Sequence, residues 1–177
     1  ARLFLATLFS LGGTYVISEN NLKEAFAARI EYEVKYNNYR KKNDVYNKTL
    51  RELLNAFISR TIKEHEHYNE ITFKFFNPSI EDFLYYQFSL NNSDEYFNVL
   101  KSALYFEQFK GRITTNIEYG SKRIFVGGNK YNELLNTFKA KMPKLESYSS
   151  NHKLDSIICL IRLFHWYDIK EIVIETI

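Results

Sequence analysis

Residues 64–70, EHEHYNE, place His65 and His67 two positions apart among carboxylates. On a strand, positions i and i+2 share a face, so this pair has the geometry to approach one metal ion. The spacing supplies no third or fourth ligand, and a charged hairpin tip is normally solvated, so no metal site is expected. Residues 126–132, VGGNKYN, carry glycines and a lysine. They lack the spacing and the hydroxyl of a phosphate loop and read as a turn. Glu81 and Asp82 are neighbours that diverge around a helix, a poor acid–base couple. His165, in the apolar context RLFHWYD, reads as a core-edge side chain. No Ser-His-Asp or Cys-His grouping can be assembled. The chain itself is therefore expected to have no catalytic residues, no metal and no cofactor.

Composition sets the frame for these residues. The chain has 177 residues, enough for one ordinary domain or two small ones, and 45% are hydrophobic, enough for a packed core. Two prolines and six glycines disfavour a loop-rich all-β protein. A net charge of +3 is well short of the dense basic face of a dedicated nucleic-acid binder. The single cysteine, Cys159, lies in an apolar run and reads as a buried side chain in a reducing, cytoplasmic compartment. The opening ARLFLATLFSLGGTYVI is too short to span a bilayer and lacks the flanks of a signal peptide, so it reads as a buried helix. Both ends of the sequence lie inside apolar segments, as in a piece excised from a longer protein.

Periodicity predicts the elements. A short buried helix over 3–11 leads through a strand-like link, TYVIS, to Ser18 as an N-cap. Leu22, Ala25, Phe26, Arg29, Ile30 and Val34 follow helical spacing and carry a second helix to about Tyr36. Residues 37–44 read as a loop, with Asp44 capping a third helix whose apolar face is Tyr46, Leu50, Leu53, Leu54 and Phe57. Two alternating runs around the polar tip, one from Ile58 and one holding Ile71, Phe73 and Phe75, form a β-hairpin. Helix, short strand, helix, helix, hairpin is a winged-helix order. Beyond Pro78 the pattern is helical. One helix holds Phe83, Leu84, Tyr86, Gln87 and Phe88. After a break at 91–96, where Asn92, Ser93 or Asp94 can cap, another continuous one carries Phe97, Leu100, Ala103, Leu104, Phe106 and Phe109. An extended segment at 123–126 and helices over 131–142 and 155–167 complete the chain. The fold expected is mainly α with a small β-hairpin: a winged-helix domain over 1–90 and a helical region over 91–177.

A DNA-binding winged helix offers polar side chains from its third helix to base edges. Here that helix offers Asn47, Lys48, Arg51 and Asn55, with Arg40, Lys41 and Lys42 before it. It also offers Glu52, and the wing tip carries Glu64, Glu66 and Glu70, which would repel phosphate. A DNA-binding transcriptional regulator with a helical dimerisation or ligand domain is therefore the second reading.

The first reading comes from a resemblance. LRELLNAFI, a hairpin, then ITFKFFNPSIEDFLYY resembles the winged-helix region that follows the nucleotide-binding module in bacterial STAND-type, AAA-related signalling NTPases. The junction pattern F-x-NPS-x-x-DFL is matched at Phe75, Asn77, Pro78, Ser79, Asp82, Phe83 and Leu84. The resemblance covers about residues 2–90. It implies a non-catalytic segment that docks on an upstream nucleotide-binding domain and links it to a helical sensor region in antiviral defence signalling. Its two states would differ in that docking. ATP or ADP with Mg would be bound by the parent protein. Homo-oligomerisation on activation and a protein ligand at the helical region are implied too. In many relatives a His at the strand end reaches the β-phosphate of ADP. By position that residue is Asn77 here, which carries no charge. At the level of residues the same junction reads as a capped corner. Phe73 and Phe75 face the core, Asn77 bonds backbone beyond the turn, Pro78 opens a helix, and Phe83, Leu84 and Phe88 pin that helix down.

Overall fold

The computed structural model describes residues 1–12, 16–91, 93–116, 123–147 and 152–176. It is mainly helical, with a small antiparallel sheet in the first half and a short parallel pair in the second. The expected caps at Asn92 and Ser93 lie outside the residues or side chains described.

Helix α1 (Arg2–Ser10) is apolar around much of its circumference and is buried accordingly, with Phe4, Ala6, Leu8 and Phe9 fully out of solvent. Its two buried polar side chains are satisfied locally, Thr7 donating to the Leu3 carbonyl at 2.8 Å and Ser10 to the Thr7 carbonyl at 2.7 Å. At one end Phe4 packs on Phe26 and Tyr46, with ring centroids 5.0 and 5.6 Å away. At the other, Phe9 packs on Phe88 and Tyr96 at 5.5 and 5.9 Å. One helix thus serves the cores of both expected regions, and the buried cluster is continuous from Phe4 to Val173 across residue 90.

Strand β1 (Ile17–Ser18) ends at Ser18, whose hydroxyl accepts from the Asn21 amide at 3.3 Å and caps α2 (Glu19–Tyr36). Helix α3 (Val45–Leu53) follows. Asp44 stands at its N-cap position but with φ 56°, and in that left-handed conformation its carboxylate accepts from Asn47 Nδ2 rather than from a helix amide. The apolar face is shorter than expected. Tyr46, Leu50 and Leu53 are buried, whereas Phe57 lies beyond the helix and is exposed. The chain turns there through Asn55, at φ 64°, whose amide donates to the Ile58 carbonyl.

The hairpin pairs β2 (Ile58–Glu64) with β3 (Asn69–Phe75), Ile58 opposite Phe75 and Glu64 opposite Asn69. β1 adds to the other side of β3, so β3 is central. Thr72, Phe73 and Phe75 are buried, while Lys74 is exposed and β2 is exposed from Arg60 to its tip. The hairpin tip, residues 64–69, is exposed throughout.

After α4 (Pro78–Tyr86) a π-helical turn, Gln87–Asn91, leads to α5 (Ser93–Lys101). The continuous helix expected through Phe109 is broken. Chain 102–106 runs irregularly, and only α6 (Glu107–Lys110) resumes. The cause is the buried Gln108, whose Oε1 accepts from the amides of Leu104 and Tyr105 at 2.9 and 3.1 Å and so competes with helical pairing. Its Nε2 donates to Ser10 on α1 at 3.0 Å. Glu146 pairs with this segment through its backbone, donating to Leu104 and accepting from Phe106.

Strands β4 (Ile113–Thr114) and β5 (Ile124–Phe125) pair in parallel; β5 lies within the segment 123–126 expected to be extended, and β4 was not expected. Gly128, at φ 57° and ψ −134°, holds a conformation open essentially to glycine alone and starts α7 (Asn129–Lys141). The final helical run divides into α8 (His152–Leu163) and α9 (Trp166–Thr176). Tyr131 fixes the break: its hydroxyl accepts from the His165 amide at 2.8 Å and donates to Asp168 at 2.7 Å. Cys159 is fully buried. Among the described residues no helix is long and apolar enough to cross a membrane.

Candidate functional site: the corner after the hairpin

The expected junction is a tight strand-to-helix corner. The Phe76 amide donates to the Phe57 carbonyl at 2.9 Å and ends the pairing. Asn77 is extended, φ −132° and ψ 133°, and its Oδ1 accepts from the Ser79 amide at 2.9 Å. The Ile80 amide donates to the Asn77 carbonyl at 3.0 Å. Pro78 is the first helical residue, where a missing N–H costs nothing. Asn77, Pro78 and Ser79 are all exposed. With Oδ1 engaged, the Asn77 amide NH2 is the group left to donate to a ligand or partner.

The seven expected junction residues divide. Phe75 and Leu84 are in the core, at 4% and 6% exposure, and Asp82 is half-buried. Phe83, expected to pin the helix, is instead 59% exposed. The pinning residues of this segment are Leu84, Phe88 and, against its type, Glu81. Helix α4 turns Glu81 and Leu84, three apart, to the interior, which leaves Phe83 and Tyr86 on the outer side.

The result is a run of solvent-facing apolar side chains around the corner: Phe76, Phe83, Tyr86 and Leu90, each more than half exposed, with Phe57 beside Phe76 across the strand end. Scattered exposed apolar residues are normal; Phe83, Tyr86 and Leu90, spaced three and four apart, fall on one side of this helical segment and make it the candidate surface.

Glu81 is the residue that sequence reasoning undervalued. The sequence shows it only as a poor acid–base partner of Asp82. It forms a buried ion pair with Arg112 Nη2, and Arg112 Nε donates to the Phe9 carbonyl at 2.9 Å. The guanidinium lies 4.6 Å from the Phe9 ring centroid. No local spacing links positions 81 and 112.

The other candidates fall into place around this corner. His65 lies 3.6 Å from Glu70 and stacks on Tyr68 at 4.6 Å, at the exposed tip. Among the described residues no group of three or more His, Cys, Asp or Glu side chains gathers in metal-binding geometry. On α3, Asn47, Lys48, Arg51 and Glu52 are exposed. Asp44 already accepts from Asn47 and lies 3.7 Å from Arg51. His165 is exposed and stands 5.3 Å from the Tyr131 ring.

Compared with family models, with curated proteins and with solved structures, the chain finds no match.

Proposed function

We propose that the chain is a non-catalytic regulatory segment of a bacterial STAND-type NTPase. Its first part is a winged helix that docks on a nucleotide-binding domain elsewhere in the same cytoplasmic protein. The rest is a helical region that senses a signal. ATP or ADP with Mg belongs to the nucleotide-binding domain, and assembly into a homo-oligomer follows activation.

The observation that carries this reading is the corner. Asn77 caps α4 with one side-chain atom and leaves its NH2 to donate, at the exposed start of a helix whose outer side carries Phe83 and Tyr86. An exposed polar donor at the start of a helix with an aromatic outer side suits an interface that closes over a nucleotide phosphate. An uncharged amide there holds the phosphate more weakly than an imidazolium would. The test is ADP release from the intact protein. Asn77→Ala and Phe83→Asp should each accelerate it while leaving the isolated chain folded.

A DNA-binding regulator is the second reading, favoured by the exposed outer face of α3 beside Arg40, Lys41 and Lys42. The Asp44 carboxylate on Asn47 and Arg51, and the acidic wing tip, disfavour it. Sequence-selective duplex binding tighter than about 10⁻⁸ M at physiological salt would establish it.

A further inference from the structure

Between the second half of α2 and the end of α7 lies an open cleft of about 690 Å³, far from the corner in sequence and built from different side chains. Lys35, Lys101, Lys141 and Lys144 line it, against a single acid, Glu31. Among the described residues Lys101 is neutralised by Glu133 at 2.7 Å, whereas Lys35, Lys141 and Lys144 have no carboxylate within salt-bridge distance. Lys141 is half-buried and donates to a backbone carbonyl, that of Ala103, at 3.1 Å. Burial, with Lys144 nearby, pulls its pKa below the usual lysine value, so the folded chain holds a cation that lacks a counter-ion. Two hydroxyl residues, Ser102 and Thr137, also line it, and the rest is apolar or aromatic. Ala28, Ala140 and Leu104 contribute small or aliphatic surface, and Tyr32 and Tyr36 pack against each other at 4.8 Å.

We propose that this cleft binds a small phosphorylated ligand carrying a planar ring, the chemical class of nucleotides, with its phosphates on Lys35, Lys141 and Lys144. The volume is within the range of small-molecule sites. Unneutralised lysines supply the charge-assisted bonds that phosphate needs, and the tyrosine and alanine surface accepts a ring. A bound anion also relieves the uncompensated cation at Lys141. A sensory role for this site rests on the regulatory reading above; the binding itself does not.

The probe is ATP, titrated into the purified chain by calorimetry, with inorganic tripolyphosphate, adenosine, oligo(dT) and poly-glutamate alongside. Saturable ATP binding is expected, weaker for tripolyphosphate and undetectable for adenosine. The double variant K141A/K144A should weaken ATP about tenfold or more, without lowering the melting temperature. The distant triple variant R40A/K41A/K42A should bind as the wild type does. No ATP binding, or equal loss in the distant variant, overturns the proposal. Oligo(dT) or poly-glutamate bound more tightly than ATP through the same lysines overturns it in favour of a nucleic-acid or an acidic-peptide surface. Because binding is read on the isolated chain, its failure leaves the ADP-release test of the corner untouched.

Discussion

Glu81, in the first turn of α4, and Arg112, just before β4, form an ion pair buried at 6% and 8% exposure. It ties the corner after the hairpin to the second half of the chain. Arg112 reaches α1 as well through the Phe9 carbonyl, so three elements meet at one guanidinium. Removing one partner strands the other charge in the interior. Glu81→Ala or Arg112→Ala should each cost about 3–5 kcal/mol. The double change to Leu should recover a large part of that, because no lone charge remains. Urea midpoints for the two single variants and the double variant check it.

Phe83 and Leu84 are adjacent and opposite in fate. Phe83→Ala removes an exposed ring and should change stability by no more than about 0.5 kcal/mol. Leu84→Ala opens a cavity and should cost about 2–5 kcal/mol. Thermal midpoints of the two variants check the orientation of α4 directly.

Glu133 accepts from Lys101 at 2.7 Å and from Lys130 at 3.2 Å, and Lys130 also bonds Asp94. The hydrogen bond from Lys101 comes first among the causes that hold the Glu133 carboxyl below its ordinary pKa. A depressed carboxylate stabilises the fold above its unfolded pKa and loses that contribution as pH falls through the folded value. The stability advantage of wild type over Glu133→Gln should therefore be flat above about pH 5.5 and shrink below the usual glutamate range near 4.3. Unfolding curves from pH 7 down to 3 for both proteins test it, and added salt should reduce the advantage throughout.

The purified chain should not hydrolyse ATP. It has no phosphate loop, and no metal-holding acid cluster is found among the described residues. Phosphate release above that of a heat-denatured control would contradict this.

Much of the fold could be read from the sequence, where local chemistry decides. Ser18 and Asn77 cap as their types require, α2 follows its apolar spacing, and the hairpin follows its alternation. The misreadings have tertiary causes. The 97–109 pattern is apolar enough for one helix, but a buried amide, Gln108, captures two backbone N–H groups and breaks it. Phe83 was assigned to the core by its type, yet apolar residues also cover surfaces, and only the orientation set by Glu81 and Leu84 decides. Tyr131 breaks the last helical run from 34 residues away in sequence. Of the candidate site, the cap was legible from Asn-Pro-Ser. The outward orientation of Phe83 and Tyr86 on the helix it caps and the Glu81–Arg112 tie were not, because both are set by tertiary packing.

Asn77 decides the central claim. As a cap, its replacement by Ala should cost the isolated chain about 0.5–2 kcal/mol. As a group that helps close the corner over a nucleotide phosphate, it should do more in the intact protein. The direct measurement is the rate of ADP release from that protein, wild type against Asn77→Ala, at a temperature where both are fully folded. The account predicts faster release from Asn77→Ala. An unchanged rate, beside a lowered melting temperature in the isolated chain, would contradict it and leave the corner as architecture alone.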